Sequence, residues 1–341
     1  MASTVSLLLG DGARFRHGAG EREADDELDT LLDQRDSGSL SQKRYLLALS
    51  TLLERSPNFI EGHAHLGFAM LEQGKVKQAL EACERGLSLG IAAIPKAYRG
   101  PIEWAWLENR PFLRAAQGVA LCYQKLGRRE QTIEMMENML RWNPSDNQGI
   151  RYLIGSEYLR AGAAKKAQEV FTTEASSYPP YRYELALLEI MSGRMVQAAT
   201  ILRRAFIDNP YIAEILCGTP SPLPLAIWHG SNLAEPDTAE AYAEHCEQLW
   251  RTTPDAIVFL RWLHMHPNVM RERSEIFAIK EALLWEHEFE SRSALGDQQE
   301  ALITALDDGL STEIVVERHD RRGQPVKPWL YPQLQPRFRS R

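Results

Sequence analysis

The amino-acid sequence predicts an all-α protein, a helical solenoid closed by an irregular helical C-terminal cap and a short non-helical tail. Three observations predict it. First, Gly74, Gly127, Gly162 and Gly193 each follow one apolar helical pattern and precede another. Second, each of these glycines keeps the same company. An apolar residue stands eight positions before it (Leu66, Val119, Ile154, Leu185), and a small residue five after it (Ala79, Thr132, Ala167, Ala198). Third, Pro144, Pro179 and Pro210 lie seventeen residues after three of them, spaced 35 and 31 apart. A period near 34 is what two antiparallel helices of about 12–14 residues and two tight turns require. Glycine suits the inner turn because it takes positive φ at little cost. Proline stops the second helix because it cannot continue the hydrogen-bond ladder. Gly67 and Gly155 in first helices, and Ala79, Ala167 and Ala198 in second helices, let backbones approach where the helices cross.

Taken in order, residues 1–40 read as an acidic leader with a weak helix. Eight acids stand against two arginines between Glu21 and Asp36, while Leu28, Leu31 and Leu32 support an amphipathic turn or two. Residues 41–210 read as the repeat array, with an insertion at 91–112 rich in aromatics (Trp104, Trp106, Phe112) between Pro101 and Pro111. That insertion reads either as an arm presenting aromatics to a partner or as a plug covering the gap between two pairs. Residues 211–310 read as the helical cap. Pro220, Pro222, Pro224 and Pro236 rule out one continuous helix at its start, and further helices are expected over 237–250, 255–264, 274–290 and 297–306. In the 311–341 tail, Thr312–Arg318 is β-branched enough for a short strand, which Arg321-Arg322-Gly323 could turn back towards Val326.

The pattern resembles the tetratricopeptide repeat (TPR) family. The best unit, Gln148 to Pro179, carries Ile154, Gly155, Tyr158, Gly162, Ala167, Phe171 and Pro179 at the family's signature places. The unit from Ile60 has Ile91 where proline is expected, and the unit from Leu113 has Thr132 at the usual alanine. The resemblance implies a right-handed solenoid whose first helices line a concave groove, here with Phe68, Arg114, Gln117, Lys125, Tyr152, Arg160 and Tyr183. Ala64 and Phe68 stand where chaperone-binding members carry Lys and Asn, so a chaperone C-terminus is not the expected ligand. A narrower stretch, Leu113 to Leu263, resembles the suppressor of tumorigenicity 7 family. It carries Gly127-Arg128-Arg129-Glu130, Asn209-Pro210-Tyr211-Ile212 and Leu249-Trp250-Arg251, but the chain lacks a membrane segment, so no membrane role carries over.

The chain has 341 residues, 44% hydrophobic and 25% charged, with net charge −7. No apolar run reaches the length of a transmembrane helix. Mild acidity argues against a dedicated nucleic-acid domain, although residues 312–341 are net +4 and interleave arginines with Trp329, Tyr331 and Phe338. Four scattered cysteines, none in a C-x-x-C pair, suit a reducing compartment, and the Val5–Leu9 run is short for a signal peptide, so a cytoplasmic protein is expected.

The standard nucleotide, zincin and hydrolase motifs are absent, and no cofactor or metal is expected. The His63/His65 and His264/His266 pairs have i, i+2 spacing, which on a helix points the rings apart. The function expected is therefore a non-enzymatic scaffold that binds a protein or an extended, partly acidic peptide in the groove. Arginine would recognise carboxylates bidentately there, unless Arg114 and Arg160 merely pair with neighbouring acids such as Glu108 and Glu157. The alternative is an RNA-associated protein using the basic aromatic tail.

Overall fold

The computed structural model describes residues 5–10, 12–18 and 21–330, and it divides into two compact units, Met1–Ala161 and Gly162–Arg341. Sixteen α-helices and two short β-hairpins are found among the described residues. The protein is all-α in architecture, built from consecutive helical pairs.

Unit 1 opens with β1 (Ser6–Gly10) and β2 (Gly12–Arg16), an antiparallel hairpin with Leu7 opposite Phe15. It continues with α1 (Glu21–Asp36), α2 (Gln42–Arg55), α3 (Ile60–Glu72), α4 (Val76–Ala93), α5 (Arg110–Lys125), α6 (Arg129–Trp142) and α7 (Arg151–Arg160). Helix α3 packs on α4, α4 on α5, α5 on α6 and α6 on α7, and α3 also lies directly against α5. Helix α3 thus neighbours α5, the first helix of the next pair, as the repeat spacing requires.

The turns follow from glycine chemistry. Gly74, Gly127, Gly162 and Gly193 all adopt φ between 69° and 74°, a left-handed conformation that costs a side-chain-bearing residue about 1 kcal/mol or more. The close approach of first and second helices is set by Gly67 on α3 and Gly118 on α5. A Cβ at either position would overlap the Sγ of Cys83 on α4, so the thiol is seated between two bare backbones.

Among the described residues of the first forty, more regular structure forms than an acidic leader suggests. Helix α1 runs sixteen residues and buries Ala24, Leu28 and Leu31 against Tyr45, Leu49 and Leu52 of α2. Each leucine sealed there contributes about 2 kcal/mol of apolar burial. The hairpin before it buries Leu7, Ala13 and Phe15. Strict alternation is broken by exposed Leu8 and Leu9, which hides the hairpin from a reading of periodicity.

The insertion is narrower than the 91–112 span. Helix α4 continues to Ala93, and α5 begins at Arg110 with Pro111 in its first turn, where a missing N–H costs nothing. Phe112 is fully buried, with its ring 5.1 Å from Phe15 and 4.8 Å from Trp142. Ile102 is also fully buried, and its N–H donates to the Trp142 carbonyl. Trp104 and Trp106 are half-buried. The segment is packed down by these contacts rather than held away from the unit.

Unit 2 contains α8 (Ala164–Glu174), α9 (Pro179–Met191), α10 (Met195–Asp208), α11 (Pro210–Cys217), α12 (Pro236–Thr252), α13 (Ala256–His264), α14 (Pro267–Trp285), α15 (Phe289–Thr304) and α16 (Asp308–Val315). A short hairpin of β3 (Arg318–His319) and β4 (Pro325–Val326) follows. Helix α10 is the hub, packed by α9, α11, α13, α14 and α16. The β-branched stretch expected as a strand from Thr312 is instead the end of α16 as far as Val315. Asp307 caps that helix by accepting from the Gly309 N–H, and Ile314 and Val315 are buried. Strand pairing starts only at Arg318, so helix continues past residue 311 as far as Val315. Helix α14 likewise begins earlier than Ser274, because Pro267 opens it and His266 Nδ1 accepts from the Asn268 N–H.

Candidate functional site

In unit 1 the first helices α3, α5 and α7 present side chains at helical spacing on one face. On α5 these are Arg114, Gln117, Gln124 and Lys125; on α3 they are Glu61, His65 and Phe68. Polar links run from helix to helix across that face. Arg114 pairs with Glu61 of α3, and His65 lies 3.3 Å from the same carboxylate oxygen. Gln148, just before α7, donates from Nε2 to Gln117 Oε1 and to the Leu113 carbonyl at 2.9 and 3.0 Å. Gln124 donates to Glu157 of α7 at 2.9 Å, and Arg160 pairs with Glu157 one turn on. Outside this row, Tyr123 donates to Glu84 and Tyr158 to Glu137, tying first helices to second ones. Burial of these two phenols, with the acceptor carboxylates beside them, pushes Tyr123 up to about 12 and holds Tyr158 above the normal phenol range.

The residues expected to line a groove therefore meet different fates. Phe68 and Tyr152 are half-buried on α3 and α7, and Arg151 sits over the Tyr152 ring at 5.7 Å. Gln117 is half-buried in an amide pair, and Lys125 is exposed with no ion-pair partner among the described residues. Arg114 does pair with an acid, but with Glu61 rather than Glu108; Arg160 pairs with Glu157. Tyr183, on α9, is fully buried in unit 2. Its hydroxyl donates to the Asn209 carbonyl at 2.6 Å, so it presents no surface. Trp104 lies under two guanidiniums, those of Arg110 and Arg114, at 5.2 and 5.3 Å from its ring centroid. Trp106 carries Arg14 of β2 at 3.4 Å.

Two contributors escaped the sequence reading. Glu61 starts the Glu61–His65–Phe68 series at i, i+4 and i+7, a spacing that would have marked it as part of the face. Asn109 left no signal. It is fully buried: its Oδ1 accepts from the Phe15 N–H, and its Nδ2 donates to the Ala13 and Glu103 carbonyls. Two of those partners are more than ninety residues away in sequence.

The histidine pairs separate as their spacing implies. His63 is buried against the Pro57 carbonyl while His65 faces Glu61. His264 is buried and His266 caps α14. Among the described residues no group of three or more His, Cys, Asp or Glu is arranged to hold a metal ion. In unit 2, Trp329 is buried with its ring 5.1 Å from Phe259 and 6.0 Å from Trp262, so it is not free to stack on a base. Tyr331, Phe338, Arg337, Arg339 and Arg341 lie outside the described residues. No described helix is long and apolar enough to cross a membrane.

These features define unit 1 as stacked helical pairs with a polar row across its first helices α3, α5 and α7. No family model matches the chain, and no curated protein matches it. Among solved structures, a crystal structure of MamA protein superposes with TM-score 0.43 at 15% identity, covering 55% of this chain and 91% of that one. A likeness so distant carries no weight beside the helix packing above.

Proposed function

We propose that the chain is a non-enzymatic, TPR-like scaffold, and that the α3–α5–α7 face of unit 1 binds an extended segment of a partner protein. The observation that carries the reading is the inter-helix polar row Glu61–Arg114, Gln117–Gln148 and Gln124–Glu157 on partly exposed first helices. Primary amides offer both donors and acceptors, which suits the backbone of a peptide lying across the helices. Phe68 and Tyr152 add apolar area, and Lys125 adds a cation for an acidic side chain.

The test is affinity capture comparing wild type with Gln117→Ala/Lys125→Glu/Tyr152→Ala. Each of these side chains is at least partly exposed, so the fold should survive, as circular dichroism would verify. The scaffold reading expects specific partners to be lost by the variant. An unchanged set of stable partners would remove the face from consideration. The RNA reading predicts salt-dependent retention on RNA that disappears on deletion of residues 312–341. Retention that survives the deletion, or none at all, removes it.

A further inference from the structure

In unit 2, helix α14 presents Glu275, Ala278, Glu281, Ala282 and Trp285 to solvent at helical spacing. The chain then bends and enters α15 at Phe289. Trp285 is 71% exposed, Phe289 is 84% exposed, and Leu284 is exposed beside them. A lone exposed apolar side chain is ordinary, but three within six residues, two of them aromatic, mark a place of contact. The corner that carries them is firmly held. Arg292 of α15 donates from Nη1 to the Leu283 and Glu286 carbonyls of the α14 end, and lies 4.8 Å from the ring centroid of Trp228. The Trp228 N–H donates in turn to the Lys280 carbonyl at 2.9 Å. The last turn of α14, the first turn of α15 and the exposed Trp228 are thus one assembly. Helix α15 itself has no buried residue along its sixteen.

Charge selects what covers these aromatics. Between Glu275 and Glu300 seven acids stand against two bases, Lys280 and Arg292. Both bases are used internally: Lys280 is buried and donates to the Ile207 carbonyl at 2.8 Å, and Arg292 is held as described. Glu281, Glu288 and Glu290 are exposed and have no ion pair among the described residues. The charge that surrounds Trp285 and Phe289 is therefore negative and uncompensated. We propose that the α14–α15 corner is a docking surface for a basic amphipathic helix of a partner protein.

Leu284, Trp285 and Phe289 enter the apolar stripe of that helix, the mode in which an amphipathic helix meets an apolar surface. Lysines or arginines flanking the stripe meet Glu281, Glu288 and Glu290, which steers encounter and sets orientation. Ala278 and Ala282 are small, so a second helix can lie close to α14. The same acids disfavour a second copy of this corner and an anionic lipid surface, because like charges would face each other. The surface lies in unit 2 and takes a cationic occupant, so it stands independently of the peptide face proposed for unit 1. Because part of the attraction is between exposed charges, affinity should fall as salt rises.

The experiment is fluorescence anisotropy of labelled peptides titrated with the full chain in about 0.1 M salt. The probe is a peptide of about two heptads with leucine on one helical face and lysine on the other. Two controls replace its lysines by glutamate or its leucines by serine. Expected is saturable binding of the leucine–lysine peptide, with both controls weaker. Trp285→Ala/Phe289→Ala should weaken that binding by about tenfold or more. Both side chains are mostly exposed, so the fold should survive, as circular dichroism would verify. Should that variant lose its helical signal, Glu281→Lys/Glu290→Lys decides by the same tenfold criterion. Absence of saturable binding overturns the proposal, as does undiminished affinity in the deciding variant or equal binding of either control. A dimer of the free chain in sedimentation velocity, or retention on anionic vesicles, that Trp285→Ala/Phe289→Ala abolishes would also overturn it, assigning the corner to self-association or to lipid.

Discussion

At the residue scale, three side chains show how local chemistry fixes the packing. Cys83 occupies the gap left by Gly67 and Gly118, so adding a methyl at either glycine must displace a buried thiol. Gly67→Ala gains about 1 kcal/mol of helix propensity yet is expected to lose about 1–3 kcal/mol net through overpacking. Urea unfolding should show that loss, and Gly67→Ala/Cys83→Ala should recover part of it. No recovery would mean the contact with Cys83 is not the cause. Asn109→Ala removes three hydrogen bonds, two of them buried, and strands the Phe15 N–H, for an expected cost of about 2–4 kcal/mol. Amide exchange should accelerate at residues 13–16 while α5 stays protected; uniform acceleration would contradict a local clamp. His264 is buried beside Arg273, and burial above all holds its pKa down to about 3. The unfolded ring protonates near 6.5. A lowered folded pKa means the neutral form's stability is present above 6.5 and is lost as pH falls towards about 3, at about 1.4 kcal/mol per pH unit. Relative to His264→Leu, wild type should therefore weaken by about 2–3 kcal/mol between pH 6.5 and 4.5. A constant difference would show that the ring titrates normally.

At the element scale, the helical pairs were legible because their punctuation is local. The four turn glycines and three prolines act within a few residues of where they stand. The N-terminal hairpin and α16 were not legible for the opposite reason. The hairpin is held by Asn109 and Phe112, roughly a hundred residues downstream, and α16 by its seat on α10. On α10, Arg203 is 2% exposed and binds both oxygens of Glu272 as well as the Asp307 carbonyl and Ser311 Oγ. This one guanidinium ties α10 to α14 and α16. Arg203→Ala leaves Glu272 without its partner and is expected to cost about 3–5 kcal/mol. Thermal unfolding should report it, and a shift of less than about 2 °C would contradict a structural role for the pair.

At the scale of the whole molecule, the chain is two compact units of stacked helices, with the boundary at Ala161–Gly162 falling inside the 41–210 array read from the sequence. Net charge −7 gave no hint of where acids gather. The acid-rich first helix turns out to contribute Glu21 and Asp25 to a cleft whose other walls come from α3 and from residues 107–114. The candidate face was legible only in outline. Repeat spacing located Gln117, Lys125 and Tyr152 on first helices. It could not reveal that Tyr183 is sealed in a core or that Arg114 is held by Glu61, because both depend on which side chains neighbouring helices bring.

If the α3–α5–α7 face of unit 1 reads an extended peptide, Gln117, Lys125 and Tyr152, all at least partly exposed, should decide which peptides are held. An array of random decapeptides probed with wild type and with Gln117→Ala/Lys125→Glu/Tyr152→Ala tests it most directly. Expected is a set of related peptides, enriched in acidic residues, that wild type retains and the variant loses by tenfold or more. Retention of the same peptides by both proteins would contradict it.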